Sequence, residues 1–197
     1  MRAAPGVHPT TLVAAGILTP LILWSAGIVP AVRFTRERIE VTVHADSIDV
    51  DGLYIYTNPL PIPLSQGLRV PFPTDAAHPA PATVEVREVD PLNQKDSEPI
   101  DVRWVWGEPH FSIRVPAFGA KQVRVRYTQY SPTMSATYLL TTTQPWGRPL
   151  EQGEYILRPR GVRITTSNYP LDGQGCLCFT RRYFMPDRDW RFTWVLQ

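Results

Sequence analysis

The sequence predicts an all-β protein, an immunoglobulin-like sandwich of two antiparallel sheets with one N-terminal transmembrane helix. Apolar and polar residues alternate with a period of two in many short segments beyond residue 38. The 21 prolines among 197 residues disfavour long helices, because each proline removes a backbone donor. The one long uncharged run, residues 10–32, has the length of a membrane-spanning helix.

The uncharged run divides the chain into four predicted parts. Residues 1–9 form an N-terminal tail, residues 10–32 the transmembrane helix, residues 33–38 a juxtamembrane segment and residues 39–197 the β-sandwich domain. The run has 23 residues, and a helix of that length measures about 35 Å, against about 30 Å of hydrocarbon. A bilayer-spanning anchor is therefore predicted.

A cleaved signal peptide is the competing interpretation of the same run. Arg2 supplies a short positive start, but the run exceeds the usual 7–15-residue signal core, which favours a retained anchor. Arg33, Arg36 and Arg38 follow the run, and the positive-inside rule would place the domain in the cytoplasm. The signal-like start and the all-β character favour the other side. We predict a single-pass protein of the bacterial inner membrane with a periplasmic domain.

Small residues in the predicted helix recur at a spacing of four. Ala15 and Thr19 form one such pair, and Gly27 and Ala31 form another. This spacing lets two helices approach closely in a membrane, so these four residues are candidate contacts with helices of other subunits.

The predicted strands follow one another every 8–15 residues, each with apolar residues on alternate positions. In order, they cover residues 39–43, 48–55, 68–72, 84–86, 100–106, 111–115, 123–127, 138–143, 155–157, 162–164, 176–180 and 190–195.

Interruptions of the alternation predict bulges, turns and loops. Gly52 shifts the apolar register and predicts a β-bulge. In residues 58–63 every second residue is a proline. This segment is excluded from a central strand, because proline has no N–H to donate to a neighbouring strand. Residues 91–99 are polar and predict a loop, and residues 107–109 predict a turn.

Aromatic residues provide the candidate partner-binding sites of the domain. Trp104 and Trp106 share a face with apolar neighbours and are predicted to be core. Trp146 and Arg148 lie in a proline-rich loop, and Phe118 lies in a turn, which is the composition of an interaction hot spot. The alternative for Trp146 is that it folds back and caps one end of the sandwich.

Charge and motif content argue against nucleic acid binding and catalysis. Residues 34–197 contain 18 basic and 18 acidic residues, which leaves no positive surplus for gripping phosphates. His110 with Ser112, and Asp187 with Asp189, lack the context of a nucleophile or of paired catalytic acids. No nucleotide or covalent haem motif occurs in the sequence. We therefore predict no enzymatic activity and no cofactor.

Cys176 and Cys178 are the remaining chemical candidates. A C-x-C pair on a strand places both thiols on one face, where they could bind a soft metal. Two small buried apolar residues are the favoured interpretation, because further ligands at suitable spacing are missing.

Two resemblances bear on function. Residues 138–143 (YLLTTT) and residues 145–150 (PWGRPL) resemble a motif of uncharacterised bacterial exported β-sandwich domains. The architecture, one span plus an aromatic β domain without cofactors, resembles accessory subunits of bacterial bioenergetic complexes, such as the non-pigment structural subunits of photosynthetic reaction-centre–antenna assemblies. The resemblance implies a structural role in such a complex.

The expected function is therefore that of a non-catalytic, membrane-anchored accessory subunit, which stabilises a larger bacterial membrane complex through its helix and its β domain. Its partners are other membrane subunits and, through residues 10–32, the lipid bilayer. A membrane-tethered ligand-binding module, for instance for carbohydrate, and a metal-handling protein built on Cys176 and Cys178 are the alternatives.

Overall fold

Thirteen strands and one short helix make up the part of the chain that the computed structural model describes, namely residues 30–75, 78–172 and 177–197. The strands are β1 (Arg33–Val43), β2 (Ser47–Thr57), β3 (Leu64–Arg69), β4 (Val84–Val89), β5 (Asp96–Pro99), β6 (Arg103–Val105), β7 (Glu108–Val115), β8 (Ala120–Tyr130), β9 (Ser135–Tyr138), β10 (Leu150–Pro159), β11 (Val162–Ser167), β12 (Leu177–Phe184) and β13 (Trp190–Leu196). A 3₁₀ helix spans Leu140–Trp146. Residues Val32–Gln197 form one compact unit.

The strands form three sheets. The large sheet has seven strands in the order β12-β10-β1-β2-β8-β4-β5, and two three-stranded sheets have the orders β11-β13-β9 and β3-β7-β6. Every strand pair is antiparallel except β1 and β10, which run parallel. The predicted all-β class is confirmed.

The predicted division into two purely antiparallel sheets is wrong in two respects, since there are three sheets and one parallel pair. Alternation in a sequence reports which side chains share a face and carries no information about strand direction or partner. Strand β10 reaches β1 only after the chain has passed through β2 to β9, so this pairing joins segments that are distant in the sequence.

The core lies between the inner face of the large sheet and the β11-β13-β9 sheet. Trp190 of β13 is fully buried and lies 5.9 Å from Tyr155 of β10 and 5.2 Å from Phe179 of β12, measured between ring centroids. Trp194, also buried, donates from its indole to the carbonyl of Ala45 in the β1–β2 turn. Aromatic packing therefore joins the two sheets in a sandwich-like arrangement.

The outer face of the large sheet carries ion pairs that cross several strands. Arg126 of β8 lies 2.9 Å from Asp51 of β2 and 2.5 Å from Asp96 of β5. Arg124 contacts the same two carboxylates, at 3.3 Å from Asp51 and 2.8 Å from Asp96. These acids are thus balanced by neighbouring strands within one sheet, which leaves this face polar and locally neutral.

Several predicted elements differ in detail. Residues 33–38, expected as a juxtamembrane segment, form the first half of β1. Residues 96–99, expected in a loop, pair with β4 as β5. The predicted 138–143 strand ends at Tyr138 and continues as the 3₁₀ helix. The β1–β2 register shifts at Phe34 and Arg36, while Gly52 pairs regularly. The prolines of 58–63 are outside all strands, as predicted.

The predicted transmembrane helix falls almost entirely outside the described residues. Its last three residues, 30–32, are described and are not helical. Within the described ranges, no helix is both long enough and apolar enough to cross a bilayer. Of the four small residues predicted to face other helices, Ala15, Thr19 and Gly27 lie outside the described part, and Ala31 is half-buried just before β1.

Candidate interaction surfaces

Trp146 caps one end of the sheet through aromatic packing. Its ring centroid lies 5.8 Å from that of Phe34 and 5.6 Å from that of Tyr56, and the side chain is half-buried. Gly147 follows with a φ of +66° and ends the 3₁₀ helix by donating its N–H to Gln144. The ring thus packs as the capping interpretation expects, while partner binding by Trp146 and by the exposed Arg148 stays a prediction.

Trp146 marks what we call the proximal end of the large sheet, the end at which β1 begins with Arg33. The strand register brings other segments to the same end. Arg33 pairs with Thr57, Thr57 pairs with Ala120, and Val89 pairs with Gln122 close by. Three loops therefore lie at the proximal end: residues 58–63, 90–95 and 116–119.

These loops expose large apolar side chains. Leu92 is 93% exposed, Phe118 71% and Ile62 44%. Met185 is also exposed and follows β12 at the same end, where Phe184 pairs with Leu150. Large apolar side chains that are exposed at one end of a domain are candidate contacts with another molecule, because their exposure to water is unfavourable.

Hydrogen bonds hold two of the loops together. Asn58, which is buried, donates from its side-chain amide to the carbonyls of Ile62 at 2.7 Å and Pro116 at 3.0 Å. Phe118 has a φ of +49° and donates its N–H to Leu60 at 2.9 Å. The exposed rings and side chains are therefore presented on a fixed backbone. The predicted candidate Phe118 belongs to this surface.

A second exposed aromatic pair corrects a prediction. Trp104 and Trp106, predicted as core, are 45% and 98% exposed. Trp106 and Gly107 have φ values of +54° and +80°, so they form the two-residue turn between β6 and β7. Strand β6 lies at the edge of its sheet and all three of its residues are exposed. Apolar residues do occupy every second position of residues 100–106, but the side chains of β6 are exposed on both faces.

The sequence candidates for chemistry are separated or have structural partners. Cys178 is half-buried on β12, and Cys176 lies outside the described residues. Asp189 accepts hydrogen bonds from the N–H and hydroxyl of Thr141 and so anchors the 3₁₀ helix. Among the described residues, no group of three or more His, Cys, Asp or Glu side chains is placed to hold a metal ion.

One constellation that the sequence did not reveal has the residue types of a catalytic triad. The Nδ1 atom of His78 lies 2.8 Å from a carboxylate oxygen of Asp75, and its Nε2 atom lies 3.4 Å from the hydroxyl of Ser135. However, Nε2 lies closer, at 2.9 Å, to the backbone carbonyl of Ser135, which can only accept a hydrogen bond, so Nε2 is the donor in this contact. The imidazole therefore ties the loop before β4 to β9 and is poorly placed to deprotonate the hydroxyl.

A buried carboxyl group is the other feature that sequence reasoning missed. Glu37 points into the core, and the hydroxyl of Tyr155 donates to it at 2.5 Å. Burial raises the pKa of Glu37 to about 7, and the Tyr155 hydrogen bond partly offsets this rise. Nearby, the hydroxyls of Tyr54 and Tyr138 lie 2.7 Å apart. Glu37, Tyr138 and Tyr155 are all buried, so the cluster lies within the core.

Glycines two residues before these tyrosines could have signalled the cluster. A Cβ atom at Gly153 would lie 2.5 Å from the hydroxyl oxygen of Tyr155, and one at Gly52 equally close to that of Tyr54. Each tyrosine ring therefore lies across a glycine of its own strand. The repeated Gly-x-Tyr pattern in β2 and β10 is visible in the sequence.

The fold and these surfaces define a β-rich, sandwich-like domain with exposed apolar loops. No protein-family model and no curated protein matches the sequence. A solved structure of a putative nutrient binding protein from Legionella pneumophila is similar, with a TM-score of 0.60 and 13% identity over 84% of this chain and 67% of that chain.

An M1 zinc metallopeptidase from Deinococcus radiodurans has a TM-score of 0.43 and 9% identity, over 83% of this chain and 42% of that chain. The present chain thus spans less than half of the peptidase. At such identities, the similarity concerns the fold alone.

Proposed function

We propose that this chain is a non-catalytic, membrane-anchored accessory subunit, which stabilises a larger bacterial membrane complex of the reaction-centre–antenna kind. Residues 10–32 anchor it in the inner membrane with the β domain on the periplasmic side, and the proximal end of the β domain contacts neighbouring subunits. The observation that carries the proposal is the set of exposed apolar side chains at the proximal end, Ile62, Leu92, Phe118 and Met185.

The location of this surface supports the proposal. Strand β1 begins at Arg33, directly after the predicted anchor in the sequence, and the proximal end is the end of the sheet at which β1 begins. Ile62 and Phe118 come from two loops whose backbones are joined by Asn58 and by the turn at Phe118. A rigid apolar surface loses little conformational entropy on binding, which suits a permanent subunit contact.

The test compares variants of the full chain in its native membrane. The double variant Leu92→Ser with Phe118→Ser is extracted in mild detergent and its co-purifying partners are quantified. We expect partners in fixed stoichiometry with the wild type and a loss of at least tenfold with the double variant, because two exposed anchors are removed. Both side chains are exposed, so the domain should keep its melting temperature.

Trp106→Ser is the matched control, because Trp106 is equally exposed but lies in a different sheet. It should leave the complex intact. A wild-type chain that extracts without any partner would refute the proposal, as would a double variant that retains its partners in full.

A tethered ligand-binding module, for example for carbohydrate, is the second candidate. Trp104 and Trp106 favour it, because exposed indoles on a stiff hairpin offer flat apolar faces for stacking. Titration of the full chain with soluble oligosaccharides should then change the tryptophan fluorescence, and Trp106→Ser should abolish the change. Unchanged fluorescence across the series would reject this candidate.

A further inference from the structure

Three nitrogen-bearing side chains lie abreast on the exposed face of the β3-β7-β6 sheet. His110 of β7 pairs directly with Arg69 of β3 on one side and with Arg103 of β6 on the other. Adjacent strands are about 4.8 Å apart, so the two arginine backbones flank the imidazole at a separation of about 10 Å. Both guanidinium groups add positive potential beside the imidazole, which favours the approach of an anion.

A shallow groove of about 850 Å³ runs over this row. Ser112 lies two residues after His110 on the same exposed face and is among the residues that line the groove. Its cross-strand partner is Gly67, where an added Cβ atom would meet nothing within 4 Å. The row therefore borders open space that a small group can enter.

The acids of this face leave one guanidinium without an ion pair. Glu108 lies 3.2 Å from Arg69, which partly neutralises that side. Asp101 lines the groove itself, whereas Glu108 is not among the lining residues. Arg103 makes no ion pair within the described residues, and Arg114, exposed on the same face of β7, adds a further positive charge. The arginines outnumber the acids on this face.

We propose that this row is a binding site for a phosphate group, held between Arg69, His110 and Arg103 with the hydroxyl of Ser112 as a further donor. Donors that come from three strands match the several oxygens of a phosphate better than the two of a carboxylate. Arginine suits this role because its fork of N–H groups binds phosphate oxygens in pairs. The site goes beyond the proposed subunit function and does not depend on it.

The test follows the ring resonances of His110 in the full-length protein in a zwitterionic detergent, at constant ionic strength. Titration with inorganic phosphate should shift them in a saturable way, whereas chloride should not. Arg103→Gln should weaken the affinity by about tenfold or more, as expected for the loss of a hydrogen bond to a charged group. Gly67→Asp, which places a carboxylate in the open space, should abolish the shift.

Arg163→Gln is the matched control, an exposed arginine on β11 in another sheet. It should bind inorganic phosphate like the wild type. A shift that does not saturate, that chloride reproduces, or that survives Arg103→Gln unchanged would overturn the proposal.

A second titration identifies the source of the phosphate. Short-chain phosphatidylglycerol replaces inorganic phosphate in the same experiment. A saturable shift with the lipid alone indicates a headgroup site, and one with inorganic phosphate alone indicates a soluble ligand. A saturable shift with both indicates a site that accepts either source. Each of these three results supports the phosphate site, and the absence of any saturable shift refutes it.

Discussion

The hydroxyl of Tyr155 donates a 2.5 Å hydrogen bond to the carboxyl of Glu37, although 118 residues separate the two in the chain. The contact crosses the parallel pair of β1 and β10, where Glu37 lies opposite Gly153. Burying a carboxyl group costs free energy that one neutral donor offsets only in part. This relationship makes the stability of the core depend on pH.

The first prediction concerns that pH dependence. The pKa of Glu37 is raised from 4.5 to about 7 in the folded protein, so the folded state holds a proton that the unfolded chain releases above pH 4.5. The stability contribution is complete below pH 4.5 and is lost as the pH rises towards 7, at a cost of about 3 kcal/mol. Urea denaturation at pH 5 and pH 8 measures the loss.

Glu37→Gln provides the control for this prediction. An amide keeps an acceptor for Tyr155 and does not ionise, so most of the difference between pH 5 and pH 8 should disappear. An equal pH dependence in the wild type and in Glu37→Gln would show that other groups cause it.

The second prediction tests the glycine beneath the tyrosine ring. Gly153→Ala forces a Cβ atom against the ring of Tyr155, which is fully buried and hydrogen-bonded. We expect a loss of about 2 kcal/mol in the free energy of unfolding. Gly67→Ala is the matched change at an open position and should leave the stability equal or up to about 1 kcal/mol higher. Equal effects of the two substitutions would contradict the close contact.

The third prediction separates the capping role of Trp146 from a binding role. Trp146→Ala removes a ring packed on Phe34 and Tyr56 and should lower the stability by about 2 kcal/mol. Arg148→Ala, two residues further along at an exposed position, should change it by less than about 0.5 kcal/mol. The melting temperatures of both variants measure these effects. An unaltered melting temperature in Trp146→Ala would refute the capping role.

The fourth prediction concerns the loop before β4. His78 contacts both Asp75 and the carbonyl of Ser135, and Gln129 donates to the carbonyls of Pro73 and Pro79 in the same loop. His78→Ala should destabilise the domain by about 1–2 kcal/mol and increase amide exchange in this loop.

His44→Ala serves as the comparison for His78→Ala, because His44 makes a similar 2.8 Å contact with Asp49 but is more exposed. Its effect should stay below about 0.5 kcal/mol. A loop that exchanges no faster in His78→Ala would show that Gln129 alone holds it.

The burial of the tryptophans shows which features of the fold could not be predicted from the sequence. Trp104 and Trp106 have the alternation of a core strand, yet both are exposed, whereas Trp146 in a proline-rich loop is packed. Alternation states which side chains share a face, but whether that face is covered depends on segments far away in the chain. The turn at Trp106 and Gly107 also lies one residue earlier than predicted, and Pro109 belongs to β7.

The sequence by itself determined the all-β class, most of the strand positions and the exclusion of residues 58–63 from the sheets, because alternation and proline act locally. Only the tertiary structure decided the parallel partner of β1, the burial of Glu37 under Tyr155, the gathering of Leu92 and Phe118 at one end, and the row at His110. Each of these depends on contacts between residues distant in the chain, which local pattern does not encode.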